Sequence, residues 1–316
     1  MNSFLALVGP TASGKTEVAC EIAKQIPLEA ISCDSMQVYQ GMPVLTQAPS
    51  VRAVKTLQAH LVSFLDPSEE YNAAFFRRDA LALIGPILKR GRMPFIVGGT
   101  GLYLRALLDG LFESGQGASK DEAYRKKLLV AQEKRGGDYL HQKLKKVDAV
   151  SAAKIHPNDS RRLVRALEIF HLTGKPFSSQ KHNREGIRDQ FFHRIYFLDR
   201  DRSDLYQRID RRVDGMMKDG LLAEVKRLQK KTLSQTAMMA LGFREMGAYL
   251  EGKTTLPEAV ELLKKNTRNY AKRQLSWFRH EREVRTVPVA PNDTAKLVAE
   301  KILQDWGSLA GQRDDL

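Results

Sequence analysis

Short apolar segments and longer amphipathic segments alternate along most of the chain. The apolar runs, which are bounded by turn residues, predict β-strands near residues 3–8, 28–33, 94–98, 193–199 and 284–289. Helical patterns lie between the strands of the first part of the chain. This alternation is typical of an α/β protein in which helices cover both faces of a parallel sheet.

The strand pattern stops in the middle of the chain. Residues 119–172 show helical patterns only, and two segments that contain Gly and Ser, LLDGLFESGQGAS and KPFSSQKHNREG, flank them. We therefore predict a P-loop-type α/β core whose first part covers residues 1–112. An inserted all-helical domain follows over residues 113–185, and the second part of the core, with C-terminal basic helices, covers residues 186–316.

The segment GPTASGKT lies between the first predicted strand and a helical pattern. It fits the P-loop motif G-x-x-x-x-G-K-[ST], whose glycines let the backbone curl so that its N–H groups converge on a phosphate at a helix N-terminus. The lysine adds a positive charge, and the last threonine adds a hydroxyl that suits Mg²⁺. We expect the whole segment to bind phosphate: Gly9, Pro10, Thr11, Ala12, Ser13, Gly14, Lys15 and Thr16.

Polar residues follow two further predicted strands. Asp34 comes directly after the strand at 28–33, and Thr100 follows the strand at 94–98. Because parallel strands bring their carboxyl ends to one edge of the sheet, where ligands bind, both side chains are expected near the P-loop. The alternative for Asp34 is a capping role in the turn that follows its strand.

A P-loop alone suggests a nucleotide kinase or an NTPase, but the other signatures of those enzymes are weak. The chain has no guanine-binding N-K-x-D motif, and the apolar run that best resembles a strand ending in aspartate is LVSFLD, which ends at Asp66. The usual nucleotide apparatus is therefore incomplete, and the motif leaves open whose phosphates the loop binds.

Composition narrows the class of protein. The chain has 316 residues, of which 42% are hydrophobic and 28% charged, and no apolar run approaches the length of about 20 residues that spans a membrane. The first ten residues have no basic segment, so we expect no signal peptide. Cys20 and Cys33 have no metal-ligand spacing, and we expect a reducing cytoplasm as the location.

Positive charge predominates. The chain has 51 Lys and Arg against 37 Asp and Glu, a formal net charge of +14, which favours a polyanionic partner such as nucleic acid. A helix predicted from the capping box of Thr255 and Glu258 to about residue 280 carries four cations within an arc of about 80°. We interpret this basic stripe as a surface for a phosphate backbone. Its members are Lys264, Arg268, Lys272 and Arg279.

The chain resembles one protein family, the tRNA dimethylallyltransferases, also called tRNA isopentenyltransferases. The resemblance rests on seven segments that occur in the family's order over roughly residues 4–280. They are GPTASGKT, DSMQVYQGM, GGTGLYLRALLDG, IHPNDSRRLVRALEIFHLTGKP, LYQRIDRRVDGMMKDGLLAEV, LGFREMGAYLEG and TRNYAKRQLSWFRHE. The form LGFRE stands where Ile-Gly-Tyr-Lys-Glu is common, which is a conservative difference.

The resemblance implies that the P-loop holds the diphosphate of dimethylallyl diphosphate, with Mg²⁺ at Thr16. The acceptor it implies is the exocyclic N6 of the adenosine on the 3′ side of a tRNA anticodon. Asp34 would be the general base that orients and deprotonates N6, and Thr100 would lie beside the target base. Arg208 would reach the diphosphate, and Arg212, one helical turn on, competes for that role.

The resemblance also implies a monomer that binds the anticodon stem and loop, extrudes the target base and receives it in a channel through the core. The base pocket would use Asp34, Ser35, Met36, Gln37 and Thr100. The helical insert would grip the RNA through Arg125, Arg161, Arg162 and Arg165. Support from the other side would come from Gly242, Phe243, Arg244, Lys272, Arg273, Gln274, Trp277 and Arg279.

Two alternative functions share part of this pattern. An adenylate isopentenyltransferase that acts on free nucleotides would need the P-loop and Asp34, but not the arginine-rich insert or the basic helix. A P-loop ATPase that binds nucleic acid would hydrolyse ATP. Binding of tRNA at low salt separates the first from the main hypothesis, and an ATP hydrolysis assay separates the second.

Overall fold

The structure, a computed structural model, describes most of the chain. The described residues are 3–111, 121–179 and 186–314. The two linkers predicted to flank the helical insert fall largely on residues 112–120 and 180–185, which lie outside the described residues.

The chain divides into two compact units. The larger consists of Met1–Leu108 with Ile187–Leu316, and the smaller of Asp109–Gly186.

The larger unit contains a five-stranded parallel sheet, as predicted. The strands are β1 (Ser3–Val8), β2 (Leu28–Cys33), β3 (Met93–Gly98), β4 (Phe192–Arg200) and β5 (Val284–Val289). Their order in the sheet is β2-β3-β1-β4-β5, so β1 is central. The segment LVSFLD is not a strand: it contributes an isolated bridge between Leu65 and Tyr39, and Asp66 is exposed and accepts a hydrogen bond from Ser68.

Five helices belong to the first part of the larger unit. They are α1 (Lys15–Ala23), α2 (Pro43–Thr46), α3 (Val51–Leu57), α4 (Ala73–Lys89) and α5 (Gly101–Asp109). Helix α1 begins inside the P-loop, and Gly14 precedes it with a φ of 96°, in the left-handed region that favours glycine. Helix α4 begins at Asn72, whose side chain accepts hydrogen bonds from the N–H groups of Ala74 and Phe75.

The smaller unit is helical throughout its described residues, apart from turns. Its helices are α6 (Glu122–Arg135), α7 (Tyr139–Val147), α8 (Ala149–Ala152) and α9 (Ser160–Thr173). Asp121, Asp148 and Asp159 cap the N-termini of α6, α8 and α9 with their carboxylates. A separate core, which includes Leu140 and Leu163, holds the helices together.

Five more helices follow the smaller unit along the chain. They are α10 (Arg202–Lys218), α11 (Leu221–Leu228), α12 (Phe243–Leu250), α13 (Leu256–Arg279) and α14 (Ala295–Asp314). The predicted capping box starts α13: Thr255 accepts from the N–H of Glu258, whose carboxylate accepts from the N–H of Thr255 at 2.9 Å.

Helices cover both faces of the sheet, which explains the strongly apolar strands. Phe4, Ala6 and Val8 of β1 point into a core shared with α4, α5, α10 and α13. Leu5 and Leu7 point into the opposite core, which α1 and α14 complete. In the part of the chain that the structure describes, no helix combines the length and apolar character needed to cross a membrane.

Candidate functional site

Strand register brings three of the sequence motifs to one edge of the sheet. Val8 pairs with Gly98, and Gly98 pairs with Cys33, so the last residues of β1, β3 and β2 are neighbours. The P-loop, Thr100 and Asp34 follow the carboxyl ends of β1, β3 and β2, which are aligned at one edge of the sheet. This is the edge at which open parallel sheets bind ligands.

The lysine of the P-loop folds back over the loop. Lys15 Nζ donates to the carbonyl oxygens of Gly9 at 3.0 Å and Pro10 at 2.7 Å. Burial lowers the pKa of Lys15 from 10.5 to about 8; the carboxylate of Asp34 opposes this, and Arg212 adds to it. The ammonium group is thus held at the loop in a site that disfavours its own charge and favours an anion beside it.

Three arginines hold the same loop. Arg208 Nε donates to the carbonyl of Ala12 at 2.9 Å, and Arg200 Nε donates to that of Ser13 at 2.9 Å. Arg212 Nη1 donates to the Thr11 hydroxyl at 3.2 Å. Arg208 and Arg212, which the sequence left as competitors, therefore both contact the P-loop. Burial lowers the pKa of both guanidinium groups, and the carboxylate of Glu17 opposes this at each of them.

Some N–H groups of the P-loop donate hydrogen bonds within the protein, and others have no acceptor among the described residues. The N–H of Thr11 donates to Gln274 and that of Ser13 to the carbonyl of Pro10. Within the described residues, the N–H groups of Gly14, Lys15 and Thr16 at the start of α1 have no partner. Those three groups, with the positive end of the α1 dipole, form the part of the loop that can receive a phosphate.

Asp34 is half-buried and oriented by the backbone. Its Oδ1 accepts from the N–H of Met36 at 2.9 Å and of Gln37 at 3.3 Å, as in the capped turn that was the alternative assignment. Its Oδ2 has no partner among the described residues. The turn therefore fixes the carboxylate while leaving one oxygen available to accept a proton.

The other predicted base-pocket residues surround this carboxylate. Ser35 and Gln37 are half-buried, and the Thr100 Oγ1 accepts from the N–H of Ser35 at 3.1 Å. Gln37 is tied down as well, since its Nε2 donates to the carbonyl of Gln47 at 3.1 Å. Hydrogen bonds thus link the turn after β2 to the end of β3.

Tyr270 of α13 joins this group, although the sequence analysis did not single it out as a site residue. Burial and the charge of Asp34 raise the pKa of the Tyr270 phenol, while a hydrogen bond with the Thr100 side chain lowers it. Helical spacing was the available signal: Tyr270, Gln274 and Trp277 stand at i, i+4 and i+7 and so share one face of α13.

Gln274 and Trp277, expected to contact RNA, lie against the ends of the central strands. The buried amide of Gln274 accepts from the N–H of Thr11 at 2.8 Å and donates to the carbonyl of Gly99 at 2.9 Å. A Cβ at Gly101 would lie 2.1 Å from Nε1 of Trp277, which explains glycine there. Nε1 of Trp277 is buried and has no partner in the described structure.

Three of the four cations of the basic stripe are paired with acids of the protein, and the role of the stripe as a phosphate surface stays a prediction. Lys264 Nζ lies 2.8 Å from Asp214, and Arg268 Nη1 lies 2.5 Å from Asp210. Arg279 lies 3.0 Å from Asp199 of β4. The stripe was identified on α13 alone, whereas the acids that pair with it lie on α10 and β4. Within the described residues, Lys272 alone among the four has no acidic partner, and it is exposed.

The remaining predicted RNA contacts of the larger unit are at or near the surface. Arg273 is exposed and lies over the Tyr270 ring, 5.7 Å from its centroid. Gly242 precedes α12 with a φ of 102°, Phe243 is half-buried and Arg244 is exposed. Their arrangement gives α12 an N-terminal turn with one free cationic side chain.

In the smaller unit, Arg125 and Arg165 hold a buried carboxylate rather than facing outward alone. Arg125 donates to both oxygens of Glu168, at 2.6 and 2.7 Å, and Arg165 donates at 2.5 Å. Burial raises the pKa of Glu168, but these hydrogen bonds outweigh it and leave the pKa below its usual range. Arg161 and Arg162 are exposed, and Arg162 also pairs with Asp159.

The donor set near the P-loop fits a magnesium ion that is shared with a ligand. No cluster of three or more His, Cys, Asp or Glu side chains suited to a metal occurs in the described parts of the chain. Mg²⁺, however, is usually held by one or two protein oxygens, substrate phosphates and water. The Thr16 hydroxyl is an oxygen of this kind, and within the described residues the buried Ser13 Oγ has no hydrogen-bond partner.

Two protein-family models match the chain. The model described as IPP transferase matches residues 37–281, and the one described as isopentenyl transferase matches residues 2–63. Together they cover the P-loop, the turn that carries Asp34, the helical unit and most of α13.

Proteins named tRNA dimethylallyltransferase are similar over nearly the full length. That of Carboxydothermus hydrogenoformans is 43% identical over 305 residues, 96% of this chain and 97% of that protein. That of Bacillus subtilis strain 168 is 42% identical over 299 residues, 94% of each chain.

Solved structures of tRNA isopentenyl and dimethylallyl transferases are similar to this chain as well. The full-length tRNA isopentenylpyrophosphate transferase from Bacillus halodurans has a TM-score of 0.72 and 39% identity and covers 99% of each chain. A eukaryotic dimethylallyltransferase acting on tRNA has a TM-score of 0.75 and 29% identity, covering 99% of this chain and 78% of that one.

Proposed function

The chain belongs to the tRNA dimethylallyltransferase family of IPP transferases, and from that premise we propose its reaction. The protein transfers a dimethylallyl group from dimethylallyl diphosphate to N6 of the adenosine on the 3′ side of the anticodon in tRNA, and releases diphosphate. The observation that carries this proposal is the shared sheet edge. There the cation-rich P-loop follows β1, Asp34 follows β2, and β3 lies between these two strands.

The P-loop holds the diphosphate leaving group. The free N–H groups of residues 14–16 and the Lys15 ammonium face an anion, and Arg208 and Arg212 supply further N–H donors from α10. As the allylic C–O bond breaks, negative charge grows on the diphosphate oxygen that leaves. Donors already fixed around that oxygen stabilise the transition state more than the ground state.

The Thr16 hydroxyl would help to hold Mg²⁺, and the ion would supply additional positive charge to the leaving group. The side chain of Thr16 and the loop backbone place the diphosphate for that ion. Because the loop carbonyls accept hydrogen bonds from Lys15, Arg200 and Arg208, the N–H groups of residues 14–16 are left for the ligand.

Asp34 acts on the acceptor. Its Oδ1 is held by two backbone N–H groups, so its Oδ2 is the atom that accepts the N6 proton of adenine while N6 attacks the allylic carbon. Ser35, Met36, Gln37 and Thr100 border the same space and orient the base. Extrusion of the adenosine from the stacked anticodon loop precedes these steps, because N6 cannot reach a buried donor otherwise.

The RNA is held by exposed cations on both units. Arg161 and Arg162 of the helical unit, with Lys272 and Arg273 of α13, have guanidinium or ammonium groups at the surface. Gly242, Phe243 and Arg244 at the start of α12 complete the support of the loop. A monomer suffices for this set of contacts, and the cytoplasm, where tRNA is modified, is the location we propose.

The two alternative functions fit less well. The relatives that match over the full chain are named for tRNA, and one structural neighbour acts on tRNA, which favours tRNA over free nucleotides as the acceptor. The same relatives are named for dimethylallyl transfer, which favours prenyl transfer over ATP hydrolysis as the reaction.

The test is transfer to tRNA with dimethylallyl diphosphate and Mg²⁺ as the other components, followed by nuclease digestion and mass spectrometry. One dimethylallyl mass on the adenosine after the anticodon supports the function. A strict requirement for ATP, or modification of free AMP in preference to tRNA, contradicts it.

The matched substitutions are Asp34→Asn and Asp66→Asn. We expect Asp34→Asn to lower single-turnover rates by about 10²-fold or more while tRNA affinity stays near wild type. Asp66→Asn removes a carboxylate from an exposed turn and should leave the rate unchanged. Near-wild-type rates for Asp34→Asn would remove it from the role of general base.

A further inference from the structure

The side-chain amide of Gln274 connects three elements at the ligand edge of the sheet. Gln274 belongs to α13, its Oε1 accepts from the N–H of Thr11 in the P-loop, and its Nε2 donates to the carbonyl of Gly99 after β3. Both polar atoms of the amide are satisfied by backbone groups. The side chain is buried, so this bridge is shielded from water and from competing partners.

The space around the bridge is too small for another arrangement. A Cβ at Gly99 would lie 2.3 Å from Nε2 of Gln274 and 3.0 Å from the carbonyl oxygen of Gly9. The amide thus fits between the first residue of the P-loop and the turn after β3. Glycine at residue 99 is explained by this close approach rather than by its own backbone angles.

The bridge determines which backbone groups of the P-loop remain open. Pro10 has no N–H, the N–H of Thr11 points to Gln274, and the N–H of Ser13 returns to Pro10. Within the described residues, the N–H groups of Ala12, Gly14, Lys15 and Thr16 are the ones that remain for a ligand. Without the amide, the N–H of Thr11 would be an unpaired donor beside the phosphate site, and the loop could rotate toward other conformations.

We propose that Gln274 is a positioning residue that fixes the mouth of the diphosphate cradle through Thr11 and Gly99. It touches neither the donor nor the acceptor and acts through the loop that it holds. This rests on the proposed function for the identity of the donor, but the cradle itself is tested with inorganic pyrophosphate. Gln274 thereby has a role distinct from that of its exposed neighbours Lys272 and Arg273, which face outward.

The experiment compares Gln274→Met with the wild type. Methionine keeps the length of the side chain and removes both hydrogen bonds. We expect the Kd for inorganic pyrophosphate with Mg²⁺, measured by titration calorimetry, to rise about tenfold, the effect of losing one to two net hydrogen bonds. The Kd for an anticodon stem–loop RNA should change less than about twofold, because the RNA-facing side chains are untouched.

Two further variants separate positioning from folding. Gly99→Ala pushes the amide away from its partners without changing Gln274, so it should raise the pyrophosphate Kd in the same direction even if Gln274→Met folds poorly. Gln304→Met makes the same chemical change on exposed α14 and should leave both Kd values unchanged. Thermal melting of each variant identifies those that are folded at the assay temperature.

The results have clear opposite outcomes. A selective loss of pyrophosphate affinity in Gln274→Met and Gly99→Ala, with a matching rise in KM for dimethylallyl diphosphate, supports the proposal. A folded Gln274→Met with wild-type pyrophosphate affinity overturns it, as does an equal loss of RNA and pyrophosphate affinity. If the wild type binds pyrophosphate but does not prenylate tRNA, the proposed function fails and the role of Gln274 is still decided.

Discussion

Arginines gather at two places in this molecule, and the two groups differ in what neutralises them. In the helical unit, Arg125 and Arg165 converge on one buried carboxylate, Glu168, which has lost all contact with solvent. At the P-loop, Arg208 and Arg212 contact a carbonyl and a hydroxyl, which carry no charge. The first group shares one carboxylate between two guanidinium groups, whereas the printed contacts of the second are to uncharged atoms only.

The difference shows that an arginine's partner identifies its role better than its place in a motif does. The family resemblance implied anion binding for Arg125 as well as for Arg208. Geometry separates them, because a guanidinium that already holds a carboxylate at two oxygens has few donors left for a phosphate. Substitutions can test this separation in both units.

The largest expected effect is the loss of Glu168. Glu168→Gln removes the buried charge that the half-buried Arg125 and Arg165 share, so we expect the helical unit to lose about 3 kcal/mol of unfolding free energy, the lower end for breaking a buried ion pair. Hydrogen exchange of the amides in α6 and α9 measures it. Asp159→Asn, at an exposed pair with Arg162, is the control and should cost less than about 1 kcal/mol. Equal protection in both variants would contradict the assignment of a stabilising role to Arg125.

The opposite pattern is expected at the P-loop. Arg208→Met or Arg212→Met should slow prenyl transfer by about 10²–10³-fold, the scale for removing a donor to developing negative charge, with little change in melting temperature. Arg211 lies between them on α10 and is exposed, so Arg211→Met is the matched control. If Arg211→Met were equally slow, general positive charge rather than contact with the loop would explain the effect.

The ammonium group of Lys15 gives a further test of the P-loop, because its protonation should make the affinity for the donor depend on pH. Its pKa in the free protein is about 8, and an anion beside the ammonium group must raise it, so the donor binds with proton uptake above pH 8. Affinity for dimethylallyl diphosphate should fall about twofold from pH 7 to pH 8, where half of the free Lys15 ammonium groups have lost their proton, and then by up to about tenfold per pH unit. Calorimetry in buffers of different ionisation enthalpy measures the uptake. Lys15→Arg should bind without this dependence, and an unchanged pH profile would place the titration elsewhere.

The smallest effect concerns the basic stripe. For binding of an anticodon stem–loop, a plot of log affinity against log salt has a negative slope. Lys272→Gln should make this slope less steep by about 0.7 to 0.9, the value for one phosphate contact. Lys264→Gln and Arg268→Gln should leave the slope unchanged, because both cations are paired within the protein. Fluorescence anisotropy over a salt series measures these slopes. A less steep slope for Lys264→Gln would show that Lys264 also contacts an RNA phosphate.

Patterns local in sequence were predicted well. The parallel sheet, its five strands to within one residue at each end, and α13 from its capping box are all confirmed. These features depend on the periodicity of neighbouring residues and on short-range capping. The roles of the predicted site residues stay predictions, since they concern a ligand and an RNA.

Features that depend on distant residues were missed. The charge of the stripe is cancelled by Asp210 and Asp214, which are more than forty residues away in the sequence. The contact of Arg200 with the P-loop and the bridge made by Gln274 also join separate elements. One helical wheel cannot reveal such partners, because it shows a face of a helix without what packs against it.

The central position of β1 has a consequence for how the chain is made. β1 pairs with β3 on one side and with β4 on the other, and β4 begins only at Phe192. During synthesis the helical unit, which ends at Gly186, therefore leaves the ribosome before the second neighbour of β1 exists. One edge of the first strand stays unpaired until then, so the helical unit can acquire its own core while the sheet is still incomplete.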